Sequence, residues 1–347
     1  MRALTVRPGI KGSVSLTDIP EPDRCDGAVL VESLAVGLCA TDAEIVGAEL
    51  GTAPPGSELL VIGHENLGRV LFAAGTGLET GDLVVGFVRH PDPVPCEACA
   101  VGEWDMCRNG RYTSHGITGR HGFARQRWRA DTGGLVRLDP RLGRRGVLVE
   151  PMSVVVKAWE QIDRIGRRSY FSPRVAAVTG AGPVGLLAAM VGVRSGLDMH
   201  VFDRVTDGPK PDLVKDLGAR YHTESMRDSG IVADIVVECT AASSVIVDAL
   251  MRSAPAGITC LIGMSAEGSG STFDVGAFNR LAVRQNGVVF GTVNANRRHY
   301  EAAASSLIEA DPLWLDRILS RHVPLDDFID AFDRRPDDIK VVLDLER

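Results

Sequence analysis

Three side chains of unlike chemistry come first: Cys39, His64 and Glu65, with Glu150 as a fourth candidate. A thiolate, an imidazole and a carboxylate together suit a zinc ion that keeps one coordination position open to a substrate. A lone Cys39 is compatible with ordinary burial, and a lone Glu150 ahead of Pro151 with a solvated surface. Adjacent His64 and Glu65 lie between the apolar runs Val61-Ile62 and Val70-Leu71-Phe72 and are harder to read that way. Burying a charge there without compensation is costly. A second set, Cys96-x2-Cys99-x7-Cys107, has the close spacing of a closed structural zinc site, which ordinarily takes four ligands. Only three are cysteines. Asp92 is carried forward as the fourth ligand, with His90 and Asp105 also open, and the plainer alternative is three free thiols.

A third constellation is Gly180-x-Gly182-Pro183-Val184-Gly185. It follows the apolar run Val175–Thr179 and opens an apolar helix. The first glycine makes the tight turn, the second lets backbone approach a pyrophosphate, and the third allows close helix–strand packing. Asp203 falls 18 residues after Gly185, at the end of the next strand, where a carboxylate accepts ribose hydroxyls. Its charge repels a 2′-phosphate and favours NAD, while Arg204 beside it keeps NADP as the alternative. Thr240, Gly263 and Asn294 follow later strands, at the carboxyl edge where a doubly wound sheet holds its ligand.

The elements that must position these groups differ along the chain. The first 150 or so residues are strand-like and turn-rich, with Val29-Leu30-Val31 and Leu83-Val84-Val85 beside glycines. Residues 90–112 form an irregular excursion. From about residue 173, short buried strands alternate with helices. We draw the strands at Val175–Thr179, Met199–Asp203, Ile235–Cys239, Ile258–Ile262 and Val288–Gly291, with helices over Pro211–Leu217 and Ser243–Arg252. This alternation predicts a parallel sheet covered on both faces. The tail ends in a strand at Val341-Val342-Leu343, so the nucleotide-type domain reads as an insertion: 1–155 and 293–347 form one domain, 156–292 the other.

The 347 residues are 45% hydrophobic, enough for two cores, and a net charge of −7 argues against a nucleic-acid binder. The uncharged stretch Val175–Val193 approaches spanning length, but its glycines explain it as strand–turn–helix, so no membrane partner is expected. Met1–Val6 lacks a leader pattern and the seven cysteines are odd in number, which predicts a reducing cytoplasm.

Together these motifs resemble the zinc-dependent medium-chain dehydrogenase/reductase (alcohol dehydrogenase) superfamily over nearly the whole chain. The carrying residues are Gly37-Leu38-Cys39-Ala40-Thr41-Asp42, Gly63-His64-Glu65, the three clustered cysteines and Gly180–Gly185. Glu150-Pro151, His121-Gly122-Phe123, Val293-Asn294 and His299-Tyr300 look most like the glucose (aldose) 1-dehydrogenase branch. The resemblance implies an α/β chain: a GroES-like β-rich catalytic domain split around a Rossmann doubly wound parallel sheet, with the active site in the cleft. It implies catalytic zinc at Cys39, His64, Glu65 and Glu150, a proton relay starting at Thr41, substrate contacts at Ser114 and His299, and a homodimer or homotetramer. The reaction implied is hydride transfer from a hydroxyl-bearing carbon of a sugar, polyol or cyclitol to NAD(P).

The departures are specific. Pro93 stands where relatives begin the structural-zinc cysteines, and Val88, Ser114 and Val154 stand where glucose-specific relatives place an asparagine, a glutamate and an aspartate. Losing groups that pair with hydroxyls costs recognition of glucose itself and leaves alcohol oxidation intact. A zinc-free quinone or enoyl reductase on the same scaffold is the competing activity, and a non-enzymatic binding protein a third reading. A zinc-free site has no use for Cys39, His64 and Glu65 together.

Overall fold

The strand Val29–Leu38 organises the first part of the molecule, and its burial explains why. Its opening residues alternate between buried and half-buried, but from Ser33 to Leu38 every residue is buried. Such a strand must be covered on both faces and paired along both edges. It pairs antiparallel with Glu65–Phe72, Arg127–Ala130 and Val341–Asp344. Around it Leu4, Val31, Val36, Leu60, Ile62, Phe123, Trp128 and Leu343 form one core. Each such apolar side chain contributes roughly 1.5–3 kcal/mol by leaving water.

The computed structural model describes residues 1–265, 270 and 272–346. The chain divides into two compact units, Met1–Ser153 with Asn294–Arg347, and Val154–Val293. The first is β-rich. The second is a six-stranded, wholly parallel sheet. Its spatial order is Arg220–His222, Asp198–Phe202, Val175–Thr179, Ala233–Glu238, Ser253–Leu261, Val288–Gly291. This is the doubly wound α/β arrangement, with the order reversing beside Val175–Thr179.

The alternation in the sequence finds five of these strands, with ends displaced by up to five residues. It misses Arg220–His222, whose three residues carry an exposed arginine and two half-buried rings in place of an apolar run. The helices fall at Pro209–Asp216 and Ser243–Met251. Glu65, drawn between strands, opens one instead. The irregular stretch 90–112 contains only a four-residue helix, Glu97–Ala100, a single 3-10 turn, Trp104–Met106, and the strand ends Arg89–His90. Among the described residues no helix is long and apolar enough to cross a membrane.

Candidate active site and dinucleotide site

Chain reversal at the end of Val29–Leu38 creates the first site. Cys39 is extended and caps the helix Ala40–Val46. The Asp42 carboxylate accepts the Cys39 amide at 3.0 Å and the Gly63 amide at 3.2 Å, which ties the cysteine turn to the His64 turn. Glu65 reaches the same point because Gly37 lies opposite it in the sheet. A Cβ on Gly37 would stand 2.2 Å from Glu65 Oε2, so only glycine leaves room for the carboxylate.

The outcome is a tight group. One ligand atom from each of Cys39, His64 and Glu65 lies within 4.8 Å of the others. His64 Nε2 is 3.2 Å from Cys39 Sγ, and Nδ1 faces Asp42 Oδ1 at 3.5 Å. A histidine with one nitrogen toward a thiol and the other toward a buried carboxylate is oriented as a metal ligand and its supporting acid are. Burial works against a charge on His64, yet Cys39 and Asp42 raise its pKa well above the ordinary value. Burial likewise opposes ionisation of Asp42, but His64, the Cys39 amide and Lys340 hold its pKa below the usual range. The electrostatics therefore call for a positive charge at this point, which a divalent cation supplies. The residues present fit zinc.

Two further groups complete the surroundings. Glu150 is buried and stands outside the three-residue group; burial first, and then the Glu65 charge, push its carboxyl up to about 7, against His64 and Lys340. Lys340 is 1% exposed and donates to both Glu65 oxygens at 2.6 Å and to Leu38 O at 3.1 Å. The sequence reading missed it. An isolated lysine carries no local signal, and only strand register brings it to Glu65. Thr41 is the second residue of the Ala40–Val46 helix and half-buried.

The excursion gathers its thiols. Cys96, Cys99 and Cys107 have donor atoms within 4.8 Å of one another. Amides from Arg108 and Cys99 pull the Cys96 thiol down to about 6, while burial pushes Cys99 up to about 12. Asp92 is not brought into this group: its oxygens take the Val94 amide at 3.0 Å, Asn109 Nδ2 at 3.4 Å and Arg111 Nε at 3.3 Å. Asp105 accepts Asn296 Nδ2 at 2.7 Å, and the His90 ring packs on His115 at 4.8 Å. The side chain that does touch a thiol is Asn109, whose Oδ1 lies 3.0 Å from Cys107 Sγ.

Two residues expected at the substrate are enclosed. His299 is fully buried, and its Nδ1 accepts the Asn296 amide at 3.1 Å as part of a helix cap. Ser114 is 5% exposed, in the strand paired with Arg89–His90.

In the second unit Gly182 caps the helix Pro183–Arg194. A Cβ on Gly185 would fall 1.8 Å from Gly180 O, so the helix packs onto the turn only as glycine. Asp203 stands at the end of Asp198–Phe202, with Oδ2 accepting the Ala181 amide at 2.7 Å and Lys210 Nζ 3.4 Å away. Arg204 next to it is exposed. Thr240 and Gly263 are organised by Glu238, a fully buried carboxylate that the sequence reading missed. Glu238 Oε1 accepts the Thr240 amide at 2.7 Å, and its backbone oxygen accepts the Gly263 amide at 3.0 Å. A glutamate closing the run Ile235-Val236-Val237 was the available signal. Asn294 opens the return segment, 8% exposed and in the left-handed region at φ 61°.

Comparison with known proteins agrees with this layout. The alcohol dehydrogenase GroES-like domain matches residues 25–140, and the glucose dehydrogenase C-terminus matches residues 143–345. The chain belongs to the zinc-dependent medium-chain dehydrogenase/reductase superfamily. Its branch within that superfamily is the glucose dehydrogenase one. A glucose 1-dehydrogenase of Thermoproteus tenax is 40% identical over all of both chains, and one of Methanocella arvoryzae is 35% identical over 99% of each. The structure of a Haloferax mediterranei glucose dehydrogenase in complex with NADP, zinc and gluconolactone superimposes with a TM-score of 0.92, at 30% identity and full coverage of both chains.

Proposed function

We propose that the chain is a zinc-dependent dehydrogenase that oxidises a hydroxyl-bearing carbon of an aldose, polyol or cyclitol and passes the hydride to a nicotinamide dinucleotide. The observation that carries this is the gathering of Cys39, His64 and Glu65 within 4.8 Å. These three hold the zinc, with Glu150 next to them as a fourth donor. When bound, zinc supplies the Lewis acidity that brings a substrate hydroxyl toward ionisation at neutral pH. The dinucleotide supplies the hydride acceptor.

The chain's own residues do the rest. Asp42 fixes the His64 ring, and Lys340 balances the Glu65 charge. Thr41 relays the substrate's hydroxyl proton, accepting it while passing its own along a hydrogen-bonded chain toward solvent. Cys96, Cys99 and Cys107 hold a second, structural zinc, with Asn109 the nearest further oxygen. A zinc-free quinone or enoyl reductase is disfavoured, because it would leave a thiol, an imidazolium and a carboxylate buried together for no chemical purpose.

Asp203 supports NAD as the preferred cofactor. Arg204 and Lys210 favour the alternative, NADP, because the first adjoins Asp203 in sequence and the second lies 3.4 Å from its carboxylate, and a 2′-phosphate there would find two cations. Seven free cysteines support a reducing compartment, the cytoplasm. Val288–Gly291 ends the sheet, with no described strand along its outer side; that edge, with exposed Val289 on it and exposed Val275 and Val283 on the preceding helix Val275–Gln285, supports a homodimer or homotetramer.

The decisive experiment is a substrate screen over aldoses, polyols and cyclitols with NAD and NADP, run on wild type, His64→Ala and Asp203→Ala. His64→Ala should lose turnover and one zinc per chain while still binding dinucleotide. Asp203→Ala should shift the cofactor ratio toward NADP. Full activity in His64→Ala would overturn the zinc assignment, and an unchanged ratio the role of Asp203.

A further inference from the structure

Away from both thiol groups, in the doubly wound unit, two histidines meet edge to edge through their ring nitrogens. His200 sits on Asp198–Phe202 and His222 on the neighbouring edge strand Arg220–His222. His200 Nδ1 lies 2.8 Å from His222 Nε2, with the ring centroids 5.1 Å apart and the ring planes inclined by 27°. Phe202 lies on the His222 ring at 4.7 Å and 19°, which fixes its plane. Each outward nitrogen faces a carboxylate: His222 Nδ1 lies 3.0 Å from Glu224 Oε1, and His200 Nε2 lies 3.6 Å from Asp198 Oδ2.

Counting protons shows what this arrangement lacks. An ionised carboxylate only accepts, so each outward nitrogen is served by carrying its own proton. Two neutral rings have two protons in all. With both placed outward, two bare lone pairs face each other across 2.8 Å, which a cation between them relieves; the metal-free alternative turns the His200 proton inward to His222 Nε2 and leaves His200 Nε2 bare, 3.6 Å from Asp198 Oδ2. A third proton is one such cation. Burial pushes the His200 pKa down, with His222 and Arg220 adding to the effect and Asp198 opposing it. Arg220 also competes for Asp198, at 3.6 Å.

We propose that His200 and His222 form a clip for a borderline divalent transition ion, such as Zn²⁺ or Ni²⁺, with Asp198 and Glu224 as the supporting acids. Both inward lone pairs then become ligands, while the His222 N–H donates to Glu224 and the His200 N–H faces Asp198 at 3.6 Å, the arrangement that orients metal-binding histidines elsewhere. Tetrahedral bonds of about 2.05 Å place two ligand nitrogens roughly 3.3 Å apart. The nitrogens therefore part by roughly half an ångström, and each ring tilts so that its lone pair points at the ion and not at the other nitrogen. The His222 side chain is 17% exposed on an edge strand, so the ion enters from solvent and water completes its shell. The clip joins two strands next to Asp203, whose amide donates to His222 O at 3.0 Å, so an ion there also braces the end of the nucleotide strand.

The test uses the enzyme with its resident metals in place. Wild type, His222→Gln, His200→Asn and Glu224→Gln are dialysed to equilibrium against micromolar Ni²⁺, and metal per chain is measured beside the melting temperature. Dinucleotide binding certifies that each variant is folded. Wild type should take up one Ni²⁺ more per chain than either histidine variant and gain melting temperature from it, while the histidine variants gain none. Glu224→Gln should weaken uptake about tenfold or more. Equal uptake by wild type and both histidine variants, or no extra Ni²⁺ in any of them, overturns the proposal; the second result would mean that a proton bridges the pair.

Discussion

Lys340→Met removes the buried ammonium that pairs with Glu65. The ammonium donates to both carboxylate oxygens at 2.6 Å and to Leu38 O at 3.1 Å, in a place that solvent barely reaches. Methionine fills the volume but leaves a buried carboxylate near a second acid, Glu150. Breaking such a pair from one side costs about 3–5 kcal/mol. In a unit of about 200 residues, each kcal/mol lowers the melting temperature by roughly 2–4 °C. A drop of about 6 °C or more is therefore expected in metal-stripped protein, read by calorimetry.

The drop should shrink in zinc-loaded protein, because the ion offers Glu65 another positive partner. Burial lowers the Lys340 pKa, but the Glu65 charge outweighs it, and the folded value is raised above 10.5. The Lys340 contribution is thus complete below 10.5 and is lost only as pH climbs through the folded value, so the drop should persist to pH 9, its size varying around pH 7 only through Glu150, whose titration Lys340 also biases. Lys340→Arg should recover most of it. A melting temperature within about a degree of wild type in the stripped Lys340→Met protein would refute the reasoning, since it would mean that Glu65 is not left as an uncompensated buried charge when the ammonium is removed.

Glu150 gives a pH effect of its own. Its carboxyl is raised from 4.5 to about 7, so in stripped protein the favourable contribution is present below 4.5 and fades as pH rises through 7. Glu150→Gln should remove that fading and make the stripped protein more stable above pH 8, by on the order of 3 kcal/mol at most; parallel denaturation curves at pH 5 and 8 check it. Gly37→Ala places a methyl 2.2 Å from Glu65 Oε2, backed by sheet on both sides. It should cost about 1–3 kcal/mol and one zinc per chain, and metal analysis showing full zinc would contradict the crowding.

Some of this was legible along the chain because the physics is local. The glycine turn, the strand before it and Asp203 after it all lie within some thirty residues, and turn, helix start and strand end each follow from short-range sterics. The types of Cys39, His64 and Glu65 suggested a cation site, and the fold brings their donor atoms within 4.8 Å of one another. The tertiary structure alone decided which partners each group has. Lys340 and Glu65 are separated by 275 residues and meet because Val341 pairs with Leu38 while Gly37 pairs with Glu65. Asp92 turned to Asn109 and Arg111, and His299 closed into a helix cap, because backbone amides and a cation nearby claimed them first. His200 and His222 gave no sign in the sequence, for their meeting is set by the register of two parallel strands. Residue type names the chemistry on offer; which lone pair finds which charge depends on non-local strand pairing, and a shift of one residue would send every such side chain to the opposite face.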